Sequence, residues 1–283
     1  MKLFNLDSPL MRFLSRMTDI LWLNILTLVM FLPAVVVGYP MFMTQGEFSL
    51  SPQGTLLYFL VLLVAAIPVG PALTALHFVC LKLVRGEEGY ITRQFFKSFK
   101  SNFRQGAIIS TVYLIIVYFF WWDFYLINSF QGLMRTLVLG GVTLASILFV
   151  FAFTFTYPVL ARFKNTIRGT VKNAFLMSVL VLPKTVLMIL IMLIPPAACL
   201  IYQIIPLALL FFFGAPAYVS AMLYSKTFKR FEPETEEPVG DYEWTVAADD
   251  TEGATDPEKP AELENTDNEV KNDPASEDGD DSR

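Results

Sequence analysis

The chain has 283 residues, of which 54% are hydrophobic and only 17% charged, and its mean hydropathy is +0.52. That composition points away from an ordinary soluble globular protein and toward a membrane-spanning one. The formal net charge of −5 describes neither part of the chain, since residues 1–231 hold 18 basic and 6 acidic groups while residues 232–283 hold 3 basic and 20 acidic ones. His77 is the only histidine and neither cysteine, Cys80 or Cys199, sits in a metal or redox motif, which excludes a multi-histidine metal centre.

From the N-terminus, apolar residues at three- and four-residue spacing (Leu3, Leu6, Leu10, Phe13, Leu14, Met17) alternate with Lys2, Arg12 and Arg16. Asp7-Ser8-Pro9 supplies a helix-start signal, so a short interfacial helix running into a first span is expected. Span 1 covers about Thr18 to Gly38 and carries Asn24, a polar amide that should face protein or water rather than lipid. Pro33 is placed to bend its outer end, and Tyr39 to Gly54 reads as a turn-rich loop. Span 2, about Thr55 to Val79, is interrupted by Pro68, Gly70 and Pro71. A kink there suits either a ligand site or plain packing, with Thr74 and His77 close by as polar positions.

A basic segment, Leu81 to Gly106, follows with a net charge of +4. Its VRGEEG sequence follows no strand and lacks the lysine-serine ending of a phosphate loop, so it reads as a turn. Beyond it, Arg93, Lys97, Lys100 and Arg104 recur on one helical face, with Phe95, Phe96, Phe99 and Phe103 on an adjacent one. This basic amphipathic helix suits either the anionic inner leaflet or a docked partner. Nucleic acid is not expected, because the same pattern arises beside a membrane.

Span 3, about Ala107 to Phe124, ends in an aromatic belt of Trp121, Trp122 and Tyr125. Span 4 runs from about Arg135 to Tyr157, with Gly140-Gly141 as a close-packing spot. A second basic loop carries Arg162, Lys164, Arg168 and Lys172. Span 5, about Ala174 to Ile194, contains Pro183-Lys184, and Pro195-Pro196 marks the turn into span 6, about Tyr202 to Tyr224. With the N-terminus inside, six crossings put the basic segments on the cytoplasmic side and leave at most Arg135 outside, as the positive-inside rule requires. The expected fold is an all-α, polytopic transmembrane helical bundle of about six spans with both termini cytoplasmic. Residues 1–231 form the membrane domain and residues 232–283 a disordered acidic tail that either contacts the basic loops or only solvates.

No nucleotide, dinucleotide, serine-hydrolase or zinc-protease signature occurs, so neither catalysis nor a cofactor is expected. The intramembrane polar groups are mostly hydroxyls able to bond their own helix backbone (Thr27, Thr143, Ser146, Thr154, Thr156, Ser178), with Lys184 and Gln203 besides. No acid lies near a midplane, which weighs against a driven transporter.

Two stretches carry a resemblance: FNLDSPLMRFLSRMTDILWLNILTLVMFLPAVVVG, and GPALTALHFVCLKLVRGEEGYITRQFFKSFKSNFRQG. Asp7-Ser8-Pro9, Asp19, Asn24, Pro33, Gly38, Thr74-Ala75-Leu76, Leu83 to Gly89 and Phe99 to Phe103 fall where the pattern of the bacterial YesL family of integral membrane proteins would put them. The similarity runs from about residue 3 to 110 and thins toward 230. One departure is the separation of LPAVVVG from GPALTAL by about thirty residues, which argues against borrowing a span count from the family. The family has no assigned chemistry. Its members are often encoded beside carbohydrate-uptake transporters, so the resemblance implies an accessory or regulatory role in sugar import in a bacterial plasma membrane. The implied partners are the lipid bilayer, transporter subunits and further copies of the chain. The alternative is a small-molecule transporter or channel in its own right.

Overall fold

The computed structural model describes residues 9–43, 52–87, 89–201 and 205–231, all of them in the first of two compact units, 1–234. The expected cap at Asp7-Ser8 and the acidic tail, 232–283, lie outside the described residues, as does Gln203. The described residues form ten α-helices and one 3₁₀ turn, with no strand among them.

Helix α1 spans Pro9–Met43 and begins with a proline, whose missing N–H costs nothing at a helix start. It continues through Pro33 and Pro40, so the expected loop from Tyr39 is helical as far as Met43. α2, Pro52–Ala65, and α3, Val69–Arg85, together make the expected interrupted second span. Prolines 68 and 71 have no N–H to continue the α2 ladder, and the chain turns at 66–68 before Ala72 N bonds Pro68 O at 3.0 Å. α3 ends at Gly86, which adopts φ +74°, while Gly86 N and Glu87 N reach back to Leu83 O and Lys82 O. VRGEEG is thus a glycine C-cap.

α4, Ile91–Ser101, breaks at Asn102 and leads into α5, Phe103–Leu126. After the 3₁₀ turn Ile127–Ser129 comes α6, Gly132–Arg162, then α7, Ile167–Leu180, whose cap is Thr166 accepting from Gly169 N. α8 covers Leu182–Ala198, and α9, Ile205–Leu210, precedes α10, Gly214–Phe228.

α3 is the hub. It packs on α1, α4, α5, α6 and α10, and its residues Ala72, Ala75, Leu76, Val79 and Cys80 join Leu23, Phe95, Phe155, Tyr224 and Phe228 in one core. By contrast the first half of α6 is apolar and outward-facing, with Leu133 75% and Leu137 61% exposed, as a helix bathed in hydrocarbon would be.

Among the described residues, four stretches are long and apolar enough to cross a membrane: Leu10–Pro40, Gly54–Arg85, Phe103–Phe124 and Gly132–Arg162. The α7–α8 pair makes a fifth if taken as one span bent by 104°. The expected six is therefore not reached by length and composition, and the reason is local. Pro183 cannot donate to α7's ladder, and Thr185 Oγ1 fastens the bend by donating to Ser178 O at 2.7 Å. Span 6 is divided at 211–213 into α9 and α10, each shorter than a crossing.

The two kinds of glycine in this bundle behave oppositely. A Cβ on Gly70 would overlap the Gly106 carbonyl, and one on Gly106 would come within 2.8 Å of Pro71 N, so α3 and α5 touch backbone to backbone. A Cβ on Gly140 or Gly141 would meet nothing within 4 Å among the described residues, so no described helix packs closely at the spot expected there. Gly106→Ala should destabilise the protein by about 1–3 kcal/mol through overpacking. Gly140→Ala should be neutral or stabilising by up to about 1 kcal/mol through helix propensity. Thermal unfolding in detergent micelles compares the two.

Candidate functional site

Two features gather the residues singled out by sequence: a latched helix break beside a partly open cavity, and the outer face of α4.

Asn24, fully buried on α1, faces the gap between α9 and α10. Its Oδ1 accepts from Phe213 N at 2.8 Å and Gly214 N at 3.1 Å, and its Nδ2 donates to Leu209 O at 3.0 Å. One amide thus satisfies three backbone groups freed where the helix breaks. Gly214 makes the approach possible, because a Cβ there would lie 2.6 Å from Ile20 O. The cause of the break is Pro216, which cannot donate to the preceding turn.

The second break, at 66–68, lies on the far side of the same interior. Between the two is a cavity of about 330 Å³ bordered by α1, α3, α5, α6, α8 and α10, and Ala66, Val69, Phe212 and Phe213 at the breaks line it. The lining is almost wholly apolar, with no charged side chain. Of the expected polar and kink positions, His77 faces this cavity, while Thr74 Oγ1 bonds Gly70 O one turn back. Pro68 caps α3, and Gly70 and Pro71 are spent on the α3–α5 contact.

Most of the other intramembrane hydroxyls behave as sequence suggests. Thr27, Ser146, Thr154, Thr156 and Ser178 each bond a carbonyl three or four residues back on their own helix. Lys184 Nζ instead reaches Thr227 Oγ1 at 3.0 Å, joining α8 to α10.

α4 presents the basic face. Arg93, Lys97 and Lys100 are exposed, as is Arg104 at the start of α5. The phenylalanines divide into two sets. Phe95 is fully buried and Phe99 packs partly against the same core, whereas Phe96 and Phe103 are 43% and 41% exposed. The expected single apolar face is therefore two, because α4 must spend one side on α3 and because the helix restarts at Asn102. Phe99 thus lies partly on the core side of α4 rather than wholly on its outward face. Trp22 Nε1 donates to Thr92 Oγ1 at 2.8 Å, which ties the start of α4 to α1. At the next junction Gln105 Nε2 donates to Asn165 O at 3.1 Å. What remains outward is a basic, aromatic ridge of Arg93, Phe96, Lys97, Lys100, Phe103 and Arg104 on a rigidly seated helix.

Asn24→Ala should cost about 3 kcal/mol or more, because the Phe213 and Gly214 N–H groups lose the buried acceptor they share and Leu209 O keeps only its long bond from Phe212 N at 3.4 Å. Hydrogen exchange should then rise at residues 209–216 while α4 stays protected. Equal loss of protection in both would show that Asn24 supports the fold generally rather than the break.

Residues 17–124 match the family model described as "Protein of unknown function, DUF624", and that part of the chain belongs to this family, the YesL family. No curated protein and no solved structure matches the chain.

Proposed function

We propose, taking membership of residues 17–124 in a family of unknown function as the premise, that this chain is a non-catalytic accessory subunit of a bacterial plasma membrane. It holds α4 at the cytoplasmic surface as a docking ridge for a membrane-transport partner, with carbohydrate transporters as the partner class that the family resemblance implies. The observation that carries this reading is the division of α4. Phe95 and Ser98 are buried and anchor the helix, while four basic residues and two phenylalanines face outward without being needed for the core. Arginine and aromatic side chains presented together are the composition of a recognition surface. The positive-inside pattern supports the cytoplasmic side, since the basic ends of α3, α4 and α10 share it.

A second reading, passage of a small molecule through this chain itself, is favoured by one observation: both helix breaks border the cavity. The uncharged lining favours docking over transport of sugars or ions, which need polar or charged partners. Substrate flux in proteoliposomes would select the second reading.

Single cysteines replacing Lys97 and Lys100, in a Cys199→Ser background, provide the direct test. Partner-specific adducts containing transporter subunits, with lowered sugar uptake on deletion, are expected. Lipid-proximal labelling alone, with uptake unchanged, would overturn the proposal. Phe96→Ala combined with Lys100→Ala should abolish co-purification yet shift stability by no more than about 0.5 kcal/mol. Phe95→Ala should cost about 3–5 kcal/mol whatever the partner.

A further inference from the structure

The cavity between the two breaks has features that neither the docking ridge nor the packing of the bundle uses. Most of its polar lining groups are already engaged. Ser110 Oγ donates to Ala107 O, Thr154 Oγ1 to Val150 O, and the Tyr113 hydroxyl pairs with Thr156 Oγ1 at 2.7 Å. Two groups remain. The Tyr157 side chain, 3% exposed, has no hydrogen-bond partner for its hydroxyl among the described residues. His77, 4% exposed, has Nδ1 3.4 Å from the Tyr224 hydroxyl, and its Nε2 has no partner among the described residues. Buried polar groups of this kind ordinarily find a partner, so each is a position where a ligand atom would be favoured.

We propose that this cavity binds an uncharged single-chain amphiphile drawn from the bilayer, with a hydroxyl head meeting His77 Nε2 and the Tyr157 hydroxyl and a hydrocarbon body filling the apolar remainder. The class follows from four constraints. A volume of about 330 Å³ has room for about a dozen carbon atoms, given that a cavity of about 150 Å³ accepts one benzene ring. The absence of any charged lining residue disfavours a carboxylate, phosphate or ammonium head, which would be desolvated without a counter-charge. A hydroxyl both donates and accepts, so it satisfies a tyrosine hydroxyl and either tautomer of a neutral imidazole. The walls come from helices that face hydrocarbon elsewhere, which makes the bilayer the ready source. The proposal is independent of docking at α4, and the crosslinking outcomes above do not bear on it.

The test uses the full chain reconstituted in phospholipid nanodiscs, with dodecanol carrying a mid-chain diazirine as the probe. After irradiation, adducts are mapped by peptide mass spectrometry. Adducts on the segments around Leu73–His77, Phe149–Tyr157 and Phe213–Ala217, competed by plain dodecanol, are the expected result. Tyr157→Phe keeps the cavity's shape while removing one polar partner, and it should weaken competition by dodecanol about three- to tenfold. A dodecane probe without the hydroxyl should label wild type and Tyr157→Phe alike. Ala217→Trp, which fills the space, should abolish cavity labelling; if that variant does not fold, Tyr157→Phe decides. Labelling confined to outward residues such as Leu137 and Leu144, or cavity labelling that dodecanol does not compete, would overturn the proposal. So would equal dodecanol affinity in wild type and Tyr157→Phe.

Discussion

A break in a membrane helix frees backbone groups that hydrocarbon cannot satisfy, and the buried amide of Asn24 meets that demand at the junction of α9 and α10. Much of the bundle depends on it. The latch fixes where α10 begins, and α10 in turn brings Ala217, Tyr224 and Phe228 against α3. α3, held on its other side by the backbone contact of Gly70 with Gly106, is the wall on which α4 rests. The elbow between α7 and α8 solves the same problem by other means, since Thr185 donates back across the bend to Ser178 O. At these two junctions a proline creates the interruption, and a neighbouring polar side chain makes it tolerable.

The position of α4 follows from that scaffold. A short helix at a membrane surface is mobile unless something holds it, and here Phe95 enters the core while Trp22 pins the first turn. The outward charges contribute little to stability, because exposed ion pairs at a surface are weak. Arg93, Lys100 and Arg104 are thus available to a partner without loss to the fold.

How much of this could be read from the residues depends on whether the relevant neighbour is local. The helices, the interrupted second span and the turn at VRGEEG were legible, because proline, glycine and apolar runs act on their own backbone. Asn24 was legible only as a polar residue facing protein or water; its partners at 209–214 are nearly two hundred residues away, and spacing carries no trace of them. The four phenylalanines of α4 read as one face because spacings of one, three and four cannot say which half of a wide stripe meets the core. Gly106 and Gly140 are the same residue in apolar helices, yet only one has a neighbouring backbone against it. The sixth crossing failed to emerge whole for a related reason. Pro216 signals a break, but whether the pieces continue across the membrane is settled by what packs beside them.

The distribution of polar groups then separates what the chain needs for folding from what is left for function. Within the spans, most hydroxyls return to their own helices, Lys184 is tied to Thr227, and Asn24 is consumed by the latch. A transporter of charged or sugar-like cargo would hold such groups in reserve along a path, whereas among the described residues the cavity leaves only His77 Nε2 and the Tyr157 hydroxyl uncommitted, and Thr170 Oγ1 and Ser220 Oγ, buried without a partner, do not line it. The unspent charge is instead concentrated outside, on the ridge of α4. That partition is why the proposed role in binding, by the ridge for a protein and by the cavity for an amphiphile, accounts for more of the structure than a role in moving solutes.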